Sequence, residues 1–175
     1  MIETFGFLQK LRRKVKNRRI VIMGVGNQLR GDDGFGPALV ERLTGKTSAQ
    51  LVNAGDVPED YLGRIRFLRP ELIFIIDSAD FDGEPGDLAF LEIDDLANLP
   101  LMTHNPGLKP LALMMREETG ADIQILVVQP QDLTLGAQIS PCVQTTLNCL
   151  EELFLYLDSA KCGEMPGSTS QLEER

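Results

Sequence analysis

Three short, almost unbroken apolar runs, separated by segments of helical length, constrain this chain more than any other feature. Ile20-Val21-Ile22-Met23, Leu72-Ile73-Phe74-Ile75-Ile76 and residues 123–128 each end in a polar or glycine-containing turn. A strand with one wet face alternates apolar and polar residues, whereas a strand covered on both faces reads as a continuous run. Weaker strands are predicted at residues 50–53 and 87–93. Between them the spacing predicts helices over 2–16, from about Gly34 through Leu43, from Pro58 to Leu68, and from Leu108 through Met115, closing near Gly120. A last helix is opened by Ser140-Pro141 and carries Val143, Leu147, Leu150, Phe154 and Leu157 on one face. The expected fold is therefore α/β: one three-layer domain with an open, mostly parallel twisted sheet of about five strands and helices on both faces. In such sheets ligands bind outside the carboxyl ends of the strands, where the strand order changes direction.

Composition narrows the function. The chain has 175 residues, 43% apolar and 25% charged, with no run near the roughly 18 apolar residues of a membrane span. The first twenty residues lack the apolar stretch of a signal peptide, so the expected compartment is the cytoplasm. Cys142, Cys149 and Cys162 form no C-x-x-C pair and read as reduced thiols. A net charge of -9 argues against a nucleic-acid partner. Residues 1–19 nevertheless hold seven basic residues and one acid, a +6 arm on a body of -15. That arm, with Ile2, Phe5, Leu8, Leu11 and Val15 at helical steps, could lie on an anionic membrane surface or a partner, but such a stripe more often packs on its own domain. The chain divides into this basic amphipathic helix (1–18), the α/β domain (19–160) and a polar tail (161–175).

Gly24-Val25-Gly26-Asn27-Gln28-Leu29 begins like a dinucleotide fingerprint, but Leu29 stands where the third glycine should allow helix to pack on strand. Gly45-Lys46-Thr47 fails as a phosphate loop, because Val40 occupies the position of its first glycine. What remains after the first strand is a loop ending in Asp32-Asp33-Gly34. Asp33 reads either as a cap of the next helix or as a functional carboxylate. Asp77 follows the most buried strand and would emerge at the same crevice if the two strands are neighbours. The chain's one histidine, His104, lies in the Thr103-His104-Asn105-Pro106 loop. Two carboxylates and an imidazole can hold a divalent transition ion with positions open for water or substrate, and composition does not choose zinc over nickel. No serine sits in a Gly-x-Ser-x-Gly elbow.

The segment from Gly24 to Gly36 resembles the opening G-x-G-N-x-L-x-x-D-[DE]-x-x-G signature of the hydrogenase maturation protease family. Ile76-Asp77-Ser78-Ala79-Asp80, Thr103-His104-Asn105 and Gln129-Pro130 resemble its later blocks, and the likeness extends over about residues 19–158. The resemblance implies a peptide-bond hydrolase that removes the C-terminal extension of a [NiFe]-hydrogenase large-subunit precursor after nickel insertion. It implies that Asp33, Asp77 and His104 are the catalytic and metal-contacting residues. Nickel would arrive with the substrate as the recognition element, with zinc or another divalent ion able to substitute. Gly26, Asn27, Asp32, Thr103 and Asn105 are expected to bind substrate, Asp32 chiefly by orienting its loop. The paired aspartates and the Thr-His-Asn loop look most like the branch serving formate-linked or energy-converting hydrogenases. Two other readings are a non-enzymatic nickel carrier or sensor and a nucleotide-binding doubly wound domain.

Overall fold

Parallel pairing of the apolar runs builds the frame. The computed structural model describes residues 2–97 and 107–159. Its elements follow in the order α1 (Ile2–Val15), β1 (Ile20–Val25), α2 (Phe35–Leu43), β2 (Gln50–Gly55), α3 (Leu62–Leu68), β3 (Leu72–Ser78), β4 (Leu88–Leu91), α4 (Leu108–Thr119), β5 (Asp122–Val128) and α5 (Pro141–Ser159). The five strands form one sheet in the order β2-β1-β3-β5-β4, with β1 parallel to β2 and β3, and β3 parallel to β5. The edge strand β4 runs antiparallel to β5, which makes the sheet mostly rather than wholly parallel.

Period-2 alternation distributes each run between two cores. Ile20 and Ile22 of β1, with Leu72, Phe74 and Ile76 of β3, face α1, α2 and α5, where Phe35, Leu39, Leu147 and Phe154 complete one core. Phe74 meets Phe154 edge-on at a centroid distance of 5.1 Å, a favourable aromatic geometry. Val21, Met23, Ile73 and Ile75 face α3 and α4, where Ile65, Leu111, Ala112 and Met115 close the other. Both faces being covered is the physical reason the strands carry no polar alternation.

Two boundaries beside the site differ from the sequence reading. β3 runs through Asp77 to Ser78 instead of stopping before the aspartate, because Asp77 and Ser78 still pair with Val127 and Val128 of β5. The helix expected at Pro58 begins as a 3-10 turn, Pro58–Tyr61, and becomes α-helical at Leu62. It ends at Arg69 in the left-handed conformation (φ 48°), one residue before Pro70. Gly120 closes α4 in the same conformation (φ 69°), as its position predicts.

The basic arm spends its charge on the acidic body. Leu11 and Val15 of α1 are buried in the α2/α5 core. Lys14 Nζ donates to Glu92 at 2.8 Å and to Gln124 at 3.0 Å. Arg18 pairs with Asp122, and the Arg12 guanidinium sits 5.7 Å from the centre of the Tyr156 ring. The 161–175 tail with Cys162 lies outside the described residues. Cys142 and Cys149 are thiols on α5. No helix among the described residues is long and apolar enough to cross a membrane.

Candidate active site at the carboxyl ends of β1 and β3

The strand order reverses between β1 and β3: the connection from β1 leads outward to β2, and that from β3 leads the other way. A crevice opens at such a point. Gly24 of β1 pairs with Ile76 of β3, so the loop after β1 and the end of β3 emerge side by side. The start of α2 approaches closely enough that a Cβ on Gly36 would overlap the carbonyl oxygens of Ile76 and Val25.

Asp33 does not cap α2. The N-cap is Gly34, with no side-chain cap bond, and Asp33 sits in a preceding 3-10 turn, Gly31–Gly34. Its carboxylate is 8% exposed and is held by two neighbours instead. Oδ2 accepts the Asn27 N–H at 3.0 Å, and Oδ1 accepts the Ser78 hydroxyl at 3.1 Å. Gly26 holds φ +119° with its N–H bonded to Gly55 O at 3.0 Å. A side chain there would overlap the Asp33 carbonyl oxygen.

Alternation separates Asp77 from its neighbour. Asp77 falls on the α3/α4 side of β3 and lines a cleft of about 270 Å³ with Val25, Pro58, Glu59, Leu108 and Met114. Ser78 falls on the other side, where its hydroxyl reaches Asp33. Asp77 is 3% exposed and accepts one hydrogen bond among the described residues, from the Ser78 N–H at 2.8 Å. Burial pushes its carboxyl up to about 7; the Ser78 N–H opposes this, and the negative charges of Asp33 and Asp56 add to it.

That elevation makes the contribution of Asp77 to stability fall with pH. Between about pH 4 and 7 the folded chain holds a proton that the unfolded chain has already released. Stability present below pH 4 is therefore lost as pH rises through 7, by roughly 4 kcal/mol for a difference of this size. Asp77→Asn keeps an oxygen for the Ser78 N–H and carries no charge. In urea titrations without metal, this variant is expected to match the wild type near pH 4 and to exceed it at pH 8. Equal midpoints at pH 8 would contradict an ionised, uncompensated Asp77.

Asp32 does not line the cleft. It is 0% exposed, and its carboxylate meets four donors: the N–H groups of Gln131, Asp132 and Ser140, and the Ser140 hydroxyl, whose single hydrogen lies between both oxygens, at 2.7–2.9 Å. No oxygen edge remains for a peptide, so its expected role in substrate binding gives way to the loop-orienting one. Asn27 is similarly engaged: Nδ2 donates to Asp56 at 2.8 Å and Oδ1 accepts the Leu29 N–H at 2.8 Å. Gln129 ties down the loop after β3, accepting from Phe81 and Gly83 and donating to Asp80.

Asp56 was not singled out by the sequence reading. It follows β2, the strand beside β1, and its place at the carboxyl end of an adjacent parallel strand was the available signal. His104, Thr103 and Asn105 lie outside the described residues. Among the described residues no three His, Cys, Asp or Glu side chains form a group able to hold a metal, and neither Asp33 nor Asp77 is paired with a Lys or Arg. Two buried, mutually repelling carboxylates suit a divalent cation, with further ligands required from elsewhere. Asp33 stands immediately before the N-terminus of α2, where a pyrophosphate would lie in a dinucleotide-binding fold, which argues against the nucleotide reading.

The model of the family described as hydrogenase maturation protease matches residues 37–157. The chain belongs to the hydrogenase maturation protease family. The solved [NiFe] hydrogenase maturation protease HycI from Thermococcus kodakarensis superimposes with a TM-score of 0.77 at 30% identity, covering 86% of this chain and 99% of that one. A homologue from Methanocaldococcus jannaschii is 31% identical over 162 residues, 85% of this chain and 96% of its own length. The Hydrogenase 3 maturation protease of Escherichia coli is 35% identical over 113 residues, 63% of this chain and 72% of its own. This hydrogenase maturation protease is thus an endopeptidase in its activity class, and the carrier and nucleotide readings are set aside.

Proposed function

We propose that this protease cleaves the C-terminal extension from the precursor of a [NiFe]-hydrogenase large subunit, and that nickel already held by the precursor docks at Asp33 and Asp77. The observation that carries the reading is the pair of buried carboxylates, Asp33 and Asp77, brought to the same end of the sheet by the neighbouring strands β1 and β3, each without a cationic partner among the described residues. Two carboxylates alone make a weak cation site, which fits an ion delivered with thiolate ligands of its own rather than a resident one. His104 is the third ligand in this proposal. The docked ion would fix the scissile bond against the crevice. In the alternative arrangement, a carboxylate not engaged by the ion takes a proton from an attacking water. Service to formate-linked or energy-converting hydrogenases, and action in the cytoplasm, belong to the same proposal.

Intact mass spectrometry of a nickel-loaded and a nickel-free large-subunit precursor, each incubated with the protease, tests it. Loss of a C-terminal fragment from the loaded form alone is the expected result. Cleavage of both forms would remove the nickel gate; cleavage of neither cognate form would remove the proposed substrate.

A further inference from the structure

Two leucines are displayed on the loops that build the site. Leu29 is 68% exposed and Leu135 is 71% exposed, and their backbones are neighbours, because the Gly136 N–H donates to Leu29 O at 2.7 Å. Neither loop is slack. The Leu29 N–H is held by Asn27 Oδ1 at 2.8 Å, Asp132 Oδ1 accepts the Thr134 N–H at 2.8 Å, and Ala137 N–H returns to Thr134 O at 3.1 Å. Asp32 staples the two loops together through its carboxylate and through its own N–H to Asp132 O at 2.9 Å. Gly31, at φ +55°, lets the backbones touch, since a Cβ there would overlap the Asp132 carbonyl oxygen. The Leu29 loop continues directly into Asp33, whose N–H bonds to Arg30 O at 3.1 Å and whose carboxylate holds Asn27.

Single exposed leucines need no explanation, but two together on a braced backbone beside a buried catalytic acid do. We propose that Leu29 and Leu135 form an apolar clamp that grips an apolar patch on the folded body of the precursor next to its tail. This inference rests on the proposed substrate. The carrying argument is continuity: Leu29 stands four residues before Asp33 on the same braced loop, so a folded protein whose scissile bond reaches Asp33 is brought against that loop. A preorganised apolar contact loses little entropy on binding.

The test measures processing of the nickel-loaded precursor by the full-length protease and its Leu29→Ser, Leu135→Ser and double variants. Phe67→Ser is the control: Phe67 is 85% exposed on α3, beside Arg66 and Arg69, which line a separate surface cleft with Arg18 and Gly120. Each single variant is expected to raise KM about tenfold and the double variant about fiftyfold, with kcat within about twofold, as loss of an interface anchor implies. Unfolding midpoints are expected to stay at the wild-type value, since neither side chain is packed. Wild-type KM in the double variant, with wild-type processing intact, overturns the clamp and leaves the substrate assignment standing. Sedimentation distinguishes a second occupant: a wild-type oligomer that the double variant dissolves at unchanged KM makes the patch a contact between copies and overturns the proposal. A wild-type chain that neither binds nor cleaves the precursor overturns the substrate assignment and the clamp with it.

Discussion

Asp33→Asn is expected to lower precursor cleavage by about 10²- to 10⁴-fold, the range for losing a reacting carboxylate, while leaving the unfolding midpoint almost unmoved. The neighbours explain why an amide fits. Oδ2 faces an obligate donor, the Asn27 N–H, and Oδ1 faces the Ser78 hydroxyl, which can accept as well as donate. An asparagine can therefore set its carbonyl oxygen toward Asn27 and its NH₂ toward Ser78 Oγ. The shape survives and the charge is lost. Removing that charge also relieves Asp77, whose carboxyl Asp33 helps hold up near 7. Quantitative mass spectrometry of the precursor, paired with thermal unfolding of the variant, gives both readings. Cleavage at the wild-type rate would remove Asp33 from the reaction.

The adjacent aspartate should respond to the same isosteric change in the opposite way. At Asp32 both carboxylate edges face backbone N–H groups: Ser140 on Oδ1, Gln131 and Asp132 on Oδ2. An amide NH₂ must then oppose a donor whichever way it is turned. Asp32→Asn is expected to cost about 2–4 kcal/mol and Asp32→Ala about 3–5 kcal/mol, because buried N–H groups lose charge-assisted bonds and gain no water. For a chain of this length that is a fall of roughly 10 °C in Tm. Processing should decline at temperatures where the variant unfolds and where the Leu29 and Leu135 loops separate. An Asp32→Asn protein with an unchanged Tm would show that the staple between the loops is not needed for stability.

The two acids look alike in sequence and differ only through what surrounds them. The loop signature placed Asp32 and Asp33 after a buried strand and Asp77 at the end of another, so the place of these carboxylates at the ends of two strands was readable. A capping role for Asp33 was equally readable, and wrong: α2 starts at Gly34, and the carboxylate points to Ser78. Asp56 escaped notice because its strand carries the exposed Gln50 and Asn53 and is only partly apolar. His104 and its loop remain a sequence-based expectation, since they lie outside the described residues.

The chain's own pattern determined the doubly covered strands, the helices between them, and the turns at Gly26 and Gly120, because these depend on periodicity and on backbone conformations that few residues tolerate. It also placed a +6 segment on a -15 body, and tertiary contact then neutralised part of that segment against Glu92 and Asp122. The tertiary structure alone decided that β1 lies beside β3, that Asp77 and Ser78 face opposite sides of one strand, and that Asp32 is met by donors about a hundred residues away. Those outcomes depend on strand order and through-space hydrogen bonding. Local periodicity does not encode either, so two neighbouring aspartates acquired different surroundings, Asp33 against Asn27 and Ser78 and Asp32 as a staple between two loops, only when the sheet closed around them.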